Sequence, residues 1–151
     1  MKTTQKYLET LLTYYEEEIM GEAYFYGLSE HFEEKDKLVL LARVERRAAD
    51  AVVPLIKKYG LSPRSDDELK QIGERNIEKH KALDWHQMVS YMINRYPAYL
   101  DEFAYLESMA PEEDLNALNT LTNHEVAAID FANMELNGDQ DSIVPLQRYL
   151  C

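Results

Sequence analysis

An apolar stripe that advances by three and four residues in strict alternation runs through Leu38, Leu41, Glu45, Ala48, Val52, Leu55 and Tyr59. That period marks one face of a helix packed on others, and its third place is taken by a glutamate. The stripe ends at Gly60 with Pro63 beyond it, the usual signals of a helix C-terminus. Pro54 lies inside the stripe, where it removes one ladder bond and predicts a bend in the last turns. The rest of the chain has the same character. Five glycines and five prolines in 151 residues, with Leu, Ala, Glu, Met and Lys abundant, predict an all-α protein.

The first helix is expected to start at Thr3 or Thr4, to carry Leu8, Leu12, Tyr15, Ile19, Glu22 and Tyr26 on one face, and to stop near His31. A turn, EEKD, leads into the stripe of the second. Residues Asp66 to Arg95 read as a longer, more polar helical stretch whose inward side is Leu69, Ile72, Leu83, Met88 and Met92. Pro97 should break or kink it, after which Tyr99, Phe103, Leu106 and Ala110 face the core. Glu102 stands beside that stripe. A last long helix from about Glu113 to Leu136 carries Leu118, Leu121, Glu125, Ala128, Ala132 and Leu136. Asn137-Gly138 closes it, and a short piece after Pro145 packs across an end.

Two glutamate pairs share one separation: Glu22 with Glu45 and Glu102 with Glu125 (45 − 22 = 125 − 102 = 23). Each pair straddles a polar turn, so two helical hairpins would bring all four carboxylates to a similar height. An offset of 80 residues sets Leu38 on Leu118, Leu41 on Leu121, Glu45 on Glu125, Ala48 on Ala128 and Glu22 on Glu102 (118 − 38 = 125 − 45 = 80). The halves read as a diverged repeat.

On these residues the chain resembles the ferritin-like superfamily of carboxylate bundles, over most of its length. The resemblance implies an antiparallel four-helix bundle of two hairpins, with a longer crossover and an extra helical segment between them. It also implies metal ligands on all four helices: Glu22 and Glu102 match the single glutamates, Glu45 and Glu125 the glutamates of two Glu-x-x-His motifs. The matching histidine positions hold Ala48 and Ala128. Iron or manganese, one or two ions, is the cofactor the resemblance implies, with oxygen or peroxide chemistry as the reaction class.

Whatever the family, clustered carboxylates cannot all stay ionised without a cation, a proton or a basic side chain between them. Carboxylates suit hard divalent ions, while iron and zinc sites usually add nitrogen donors. His124, about 100° around its helix from Glu125, is one such donor, although an exposed or capping histidine is the simpler reading. Arg95, seven residues before Glu102, is the best internal counterion. Glu18 lies one turn from Glu22, but the run Glu16 to Glu18 reads as a solvated face. Tyr15, Tyr26 or Tyr99 could instead hydrogen-bond protonated glutamates in a polar layer without chemistry. His31, His80 and His86 read as surface residues. Ala48 and Ala128 leave room for a bound molecule.

A net charge of −12 and a pI near 4.7 disfavour nucleic-acid partners, and no apolar run is long enough for a bilayer. Residues 1–151 are of a size for one domain. A lone cysteine, Cys151, and an N-terminus without an apolar leader suggest the cytoplasm. The leading expectation is a bundle whose Glu22, Glu45, Glu102 and Glu125 form a carboxylate centre for one or two metal ions, an oxidoreductase of unknown small-molecule substrate if the metal is redox active. Two alternatives stand beside it: a metal-free bundle that dimerises or binds a partner through exposed Trp85 and Met88, and a protein that binds a small cationic ligand in an acidic interior. A homodimer is expected.

Overall fold

The computed structural model describes residues 3–151, and among these every regular element is helical. The helices are α1 (Gln5–Leu28), α2 (Lys35–Lys58), α3 (Asp66–Asn76), α4 (Trp85–Met109), α5 (Leu115–Leu136) and α6 (Val144–Leu150). Local chemistry sets their ends. The Thr4 hydroxyl accepts from the Tyr7 N–H at 3.1 Å, and Ser65 does the same for Glu68. Asp84 and Gln87 form a reciprocal capping box at the start of α4. Gly60 and Gly138 take positive φ just past α2 and α5, the left-handed conformation that ends a helix cheaply only at glycine.

Two boundaries differ from the sequence reading. The stretch from Asp66 to Arg95 is not one helix: α3 stops at Asn76, a 3₁₀ turn covers Ile77–Lys79, and the capping box at Asp84 starts a new helix. Pro97 breaks nothing, since α4 continues through it to Met109. One lost ladder bond is outweighed because Met88, Val89, Met92 and Tyr96 anchor the helix before the proline, and Phe103 and Leu106 anchor it after.

α1 packs along α2, α4 along α5, and α2 along α5, while α1 and α4 touch over only a few residues. Side-chain pairs give the directions. Tyr7 meets Tyr59 at one end of the bundle, and Phe32 meets Trp85 at the other. Lys58 reaches Asp114 and Lys37 reaches Glu135, so α2 and α5 run oppositely. The segment between α2 and α4 travels along the second half of α1: Arg64 pairs with Glu16, a Cβ on Gly73 would collide with the Met20 carbonyl, and His80 bonds Tyr24.

The buried apolar side chains form two clusters. One gathers Tyr7, Leu11, Leu55, Leu118 and Leu106; the other gathers Leu38, Leu41, Met88, Met92 and Phe131. Each fully buried leucine or methionine contributes about 2 kcal/mol by leaving water. Between the clusters, α1, α2 and α5 each turn acidic or basic side chains inward, at Glu18, Glu45, and His124 with Glu125. This polar layer is the feature an apolar core would not supply. The contact residues Trp85 and Met88 also differ from expectation: Met88 is fully buried, and Trp85 is half-buried with its indole N–H donating to Glu135 at 2.9 Å.

A candidate metal centre between two apolar cores

The centre is built around His124. Its ring is 2 % exposed, walled by Phe103 of α4 and Tyr149 of α6 with ring centroids 5.5 and 6.5 Å away. Nδ1 lies against the backbone carbonyl of Leu121, one turn earlier on α5. A bond of that kind fixes Nδ1 as the N–H donor and directs the other ring nitrogen at the interior. Nε2 is 2.8 Å from Glu18 Oε2, 2.9 Å from Glu45 Oε2 and 3.5 Å from Glu125 Oε2. Three helices thus deliver one nitrogen and three carboxyls to one point.

Proximity alone does not satisfy these groups. The close oxygens of Glu18 and Glu45, and Oε1 of Glu125, are buried without an aligned hydrogen bond. With the Nδ1 proton committed to Leu121, Nε2 meets the two carboxyls either as the N–H of an imidazolium or as a lone pair turned to a cation held among them. The electrostatics favour the imidazolium when no such cation is bound. Burial alone would depress His124, but the carboxylates of Glu18 and Glu45 outweigh it and hold the ring well above the ordinary histidine range. Burial and the charge of Glu45 push Glu18 far up, while Glu45, although burial opposes it, is held below the ordinary range by its bond with Glu18 and by His124. Burial lifts Glu125 to about 8, with His124 opposing and Glu45 and Glu102 adding to the rise. Protons on His124 and Glu18 therefore supply the positive charge and the donors that the cluster needs.

The donor set fits a metal ion. Glu18, Glu45 and His124 each offer a ligand atom within 4.8 Å of the others. Their N···O separations are near the spacing of about 3.0 Å between neighbouring ligands at right angles on an ion with bonds of about 2.1 Å. No phenol of Tyr15, Tyr26 or Tyr99 hydrogen-bonds these carboxyls among the described residues; the donors beside them are the His124 ring and the protonated carboxyl of Glu18.

Of the four glutamates singled out by spacing, Glu45 and Glu125 reach the centre. Glu22 does not: Arg46 of α2 holds it in a two-pronged pair, Nε to Oε2 at 3.1 Å and Nη2 to Oε1 at 2.8 Å, and Arg46 also reaches Asp50 and Asp66. Glu102 is exposed and lines the mouth of a cavity above the centre. Glu18 takes the inward place on α1. The buried face of that helix runs Tyr7, Leu11, Tyr15, Glu18, Glu22 and Phe25, while Leu8 and Leu12 are only partly buried and Tyr26 is 42 % exposed. The same three-four spacing runs through Glu18, a signal that the adjacent acidic run concealed. His124 departs from the exposed reading because α6 and α4 cover it, which the pattern of α5 alone does not reveal.

Where α1 and α4 separate, a cavity of about 390 Å³ opens above the centre. Glu18, Glu45 and Glu125 lie on its floor, Tyr24, Tyr91 and Tyr99 on its walls, and Glu17, Arg95 and Glu102 along its length. Arg95 does not enter the acidic cluster; its guanidinium stacks on Tyr99 at 4.3 Å from the ring centre. Glu17, raised to about 7 by desolvation and then by Glu102 and Glu45, faces the same space. His80, expected on the surface, is a half-buried wall residue whose Nδ1 is 2.7 Å from the Tyr24 hydroxyl.

No protein-family description, curated protein or solved structure matches the chain. Among the described residues, no helix is long and apolar enough to cross a membrane.

Proposed function

We propose that this chain is a ferritin-like bundle that binds one divalent metal ion through Glu18, Glu45 and His124, with Glu125 as a fourth donor. The observation that carries the reading is the meeting of His124 Nε2 with two buried carboxyl oxygens that have no aligned hydrogen bond. A nitrogen with two or three carboxylates suits ferrous iron or manganese, and oxygen or peroxide chemistry is what such an ion supplies. The chain's own residues would hold the ion, keep water out with Phe103 and Tyr149, and leave the cavity side open to a small reactant. Order of helices supports the family reading: two packed pairs, with a crossover running along α1. The set of ligands departs from the family's, because α4 contributes none to the cluster.

The test is equilibrium dialysis of the purified chain against manganous and ferrous ions, with metal counted by mass spectrometry. One equivalent is expected, lost in Glu18→Ala and His124→Ala and retained in Glu22→Gln, whose carboxylate serves Arg46. No binding by the native protein, or equal loss in Glu22→Gln, would overturn the proposal.

A metal-free reading as an amine receptor shares the cavity but not the ligand set, and the cavity supports a claim of its own.

A further inference from the structure

The cavity between α1 and α4 has a directional chemistry. Along its wall the rings of Tyr24, His80, Tyr91, Tyr96 and Tyr99 follow one another with centroid spacings of 5.8, 4.3, 6.5 and 5.9 Å. This row is held rigid at one end by the bond between the Tyr24 hydroxyl and His80. Glu17 and Glu102 line the same cavity. At the floor, Glu125 is 5 % exposed and its Oε1 has no hydrogen-bond partner. Its other oxygen is the one turned toward His124. Two cations border the cavity against five glutamates: Arg95, whose guanidinium stacks on the Tyr99 face and whose charge acts on Glu17 and Glu125, and Lys79, exposed beside His80, so the lining stays acidic.

We propose that this cavity binds a small organic cation, a primary amine on an aromatic or short aliphatic body. Its ammonium lies among Glu17, Glu102 and the free oxygen of Glu125, and its body rests on the row of aromatic rings. An ammonium has three donors to place, and three carboxyls face the space it would fill. Aromatic faces attract the same charge, and a volume near 390 Å³ is within the range of small-ligand sites. An anionic ligand would meet the acids head-on. This inference does not rest on the metal centre, since Glu17, Glu102 and the row of rings lie outside the proposed donor set.

Isothermal titration with phenethylamine, 2-phenylethanol and phenylacetate tests it, run on protein stripped of metal by chelation and on manganese-treated protein. The amine is expected to bind in both, about tenfold or more tighter than the alcohol, with no measurable binding of the carboxylate. The double variant Glu17→Gln, Glu102→Gln, two exposed positions, should weaken the amine about tenfold and leave the alcohol unchanged. Equal affinity for amine and alcohol, preference for phenylacetate, or no amine binding at concentrations of about 10 mM in either preparation would overturn it. Failure here leaves the dialysis result standing, and a protein that takes up no metal in dialysis yet binds the amine sinks the metal proposal alone.

Discussion

Gly21 lies so close against Glu45 that a β-carbon placed on it would stand 2.6 Å from the Glu45 Oε1. A glycine in mid-helix costs about 0.5–1 kcal/mol relative to alanine, so α1 gives up stability where the α2 carboxylate passes over it. Gly21→Ala should therefore separate two properties. The metal-free protein is expected to be as stable as the native one or slightly more so, because the clash falls on the movable end of a side chain. Metal affinity should drop about tenfold or more, as the Glu45 carboxyl is pushed off its position. Thermal unfolding and metal titration of the same preparation check both halves.

His124 neutralises carboxyls that have no other cation. Replacing it by leucine leaves Glu18 and Glu45 facing each other in a dry interior, and the metal-free variant should lose about 3 kcal/mol or more of stability. The triple variant Glu18→Leu, Glu45→Leu, His124→Leu joins the two apolar cores into one. It is expected to recover to within about 1 kcal/mol of the native chain or exceed it, without binding metal. Urea unfolding of the three proteins decides whether the polar layer serves binding or the fold.

At one end of the bundle, Asp114 ties three helices together. Its side chain is fully enclosed, Oδ2 accepts from the hydroxyls of Tyr7 and Tyr59 at 2.7 and 2.6 Å, and Oδ1 accepts from Lys58 at 2.7 Å. Burial opposes ionisation, but these donors outweigh it and hold the carboxyl below the ordinary aspartate range. The sign follows. A depressed folded value means that the stabilisation is complete above the unfolded value near 4, and is lost as pH falls through the lower folded one. Asp114→Asn should cost about 2–4 kcal/mol at pH 7, a penalty that shrinks progressively below about pH 4. Denaturant midpoints measured at several pH values check it.

The helices were legible wherever one face had to be apolar. Leu38 and Leu118, Leu41 and Leu121, and Ala48 and Ala128, matched by the 80-residue offset, are all buried, although Leu136, the last residue of the α5 stripe, is 45 % exposed. The break at Asn76 was less visible, because a polar segment carries little periodicity and the restart depends on one capping box. Half of the site was legible too. Glu45 and Glu125 interrupt apolar stripes, so their cost was written in the pattern. Glu18 sits in an acidic run and His124 outside its helix's leucine row; the burial of His124 comes from Phe103 and Tyr149, on other helices. Glu22 shows the converse, an acid on the stripe whose partner, Arg46, is decided by packing between α1 and α2.

The central claim concerns a single point in space, and a crystal grown with manganese, measured for anomalous scattering, addresses it directly. The account predicts one strong peak at about 2.0–2.3 Å from His124 Nε2 and from carboxyl oxygens of Glu18 and Glu45. A map with no peak there at saturating manganese, or with the ion on Glu22 or Glu102 instead, would contradict it.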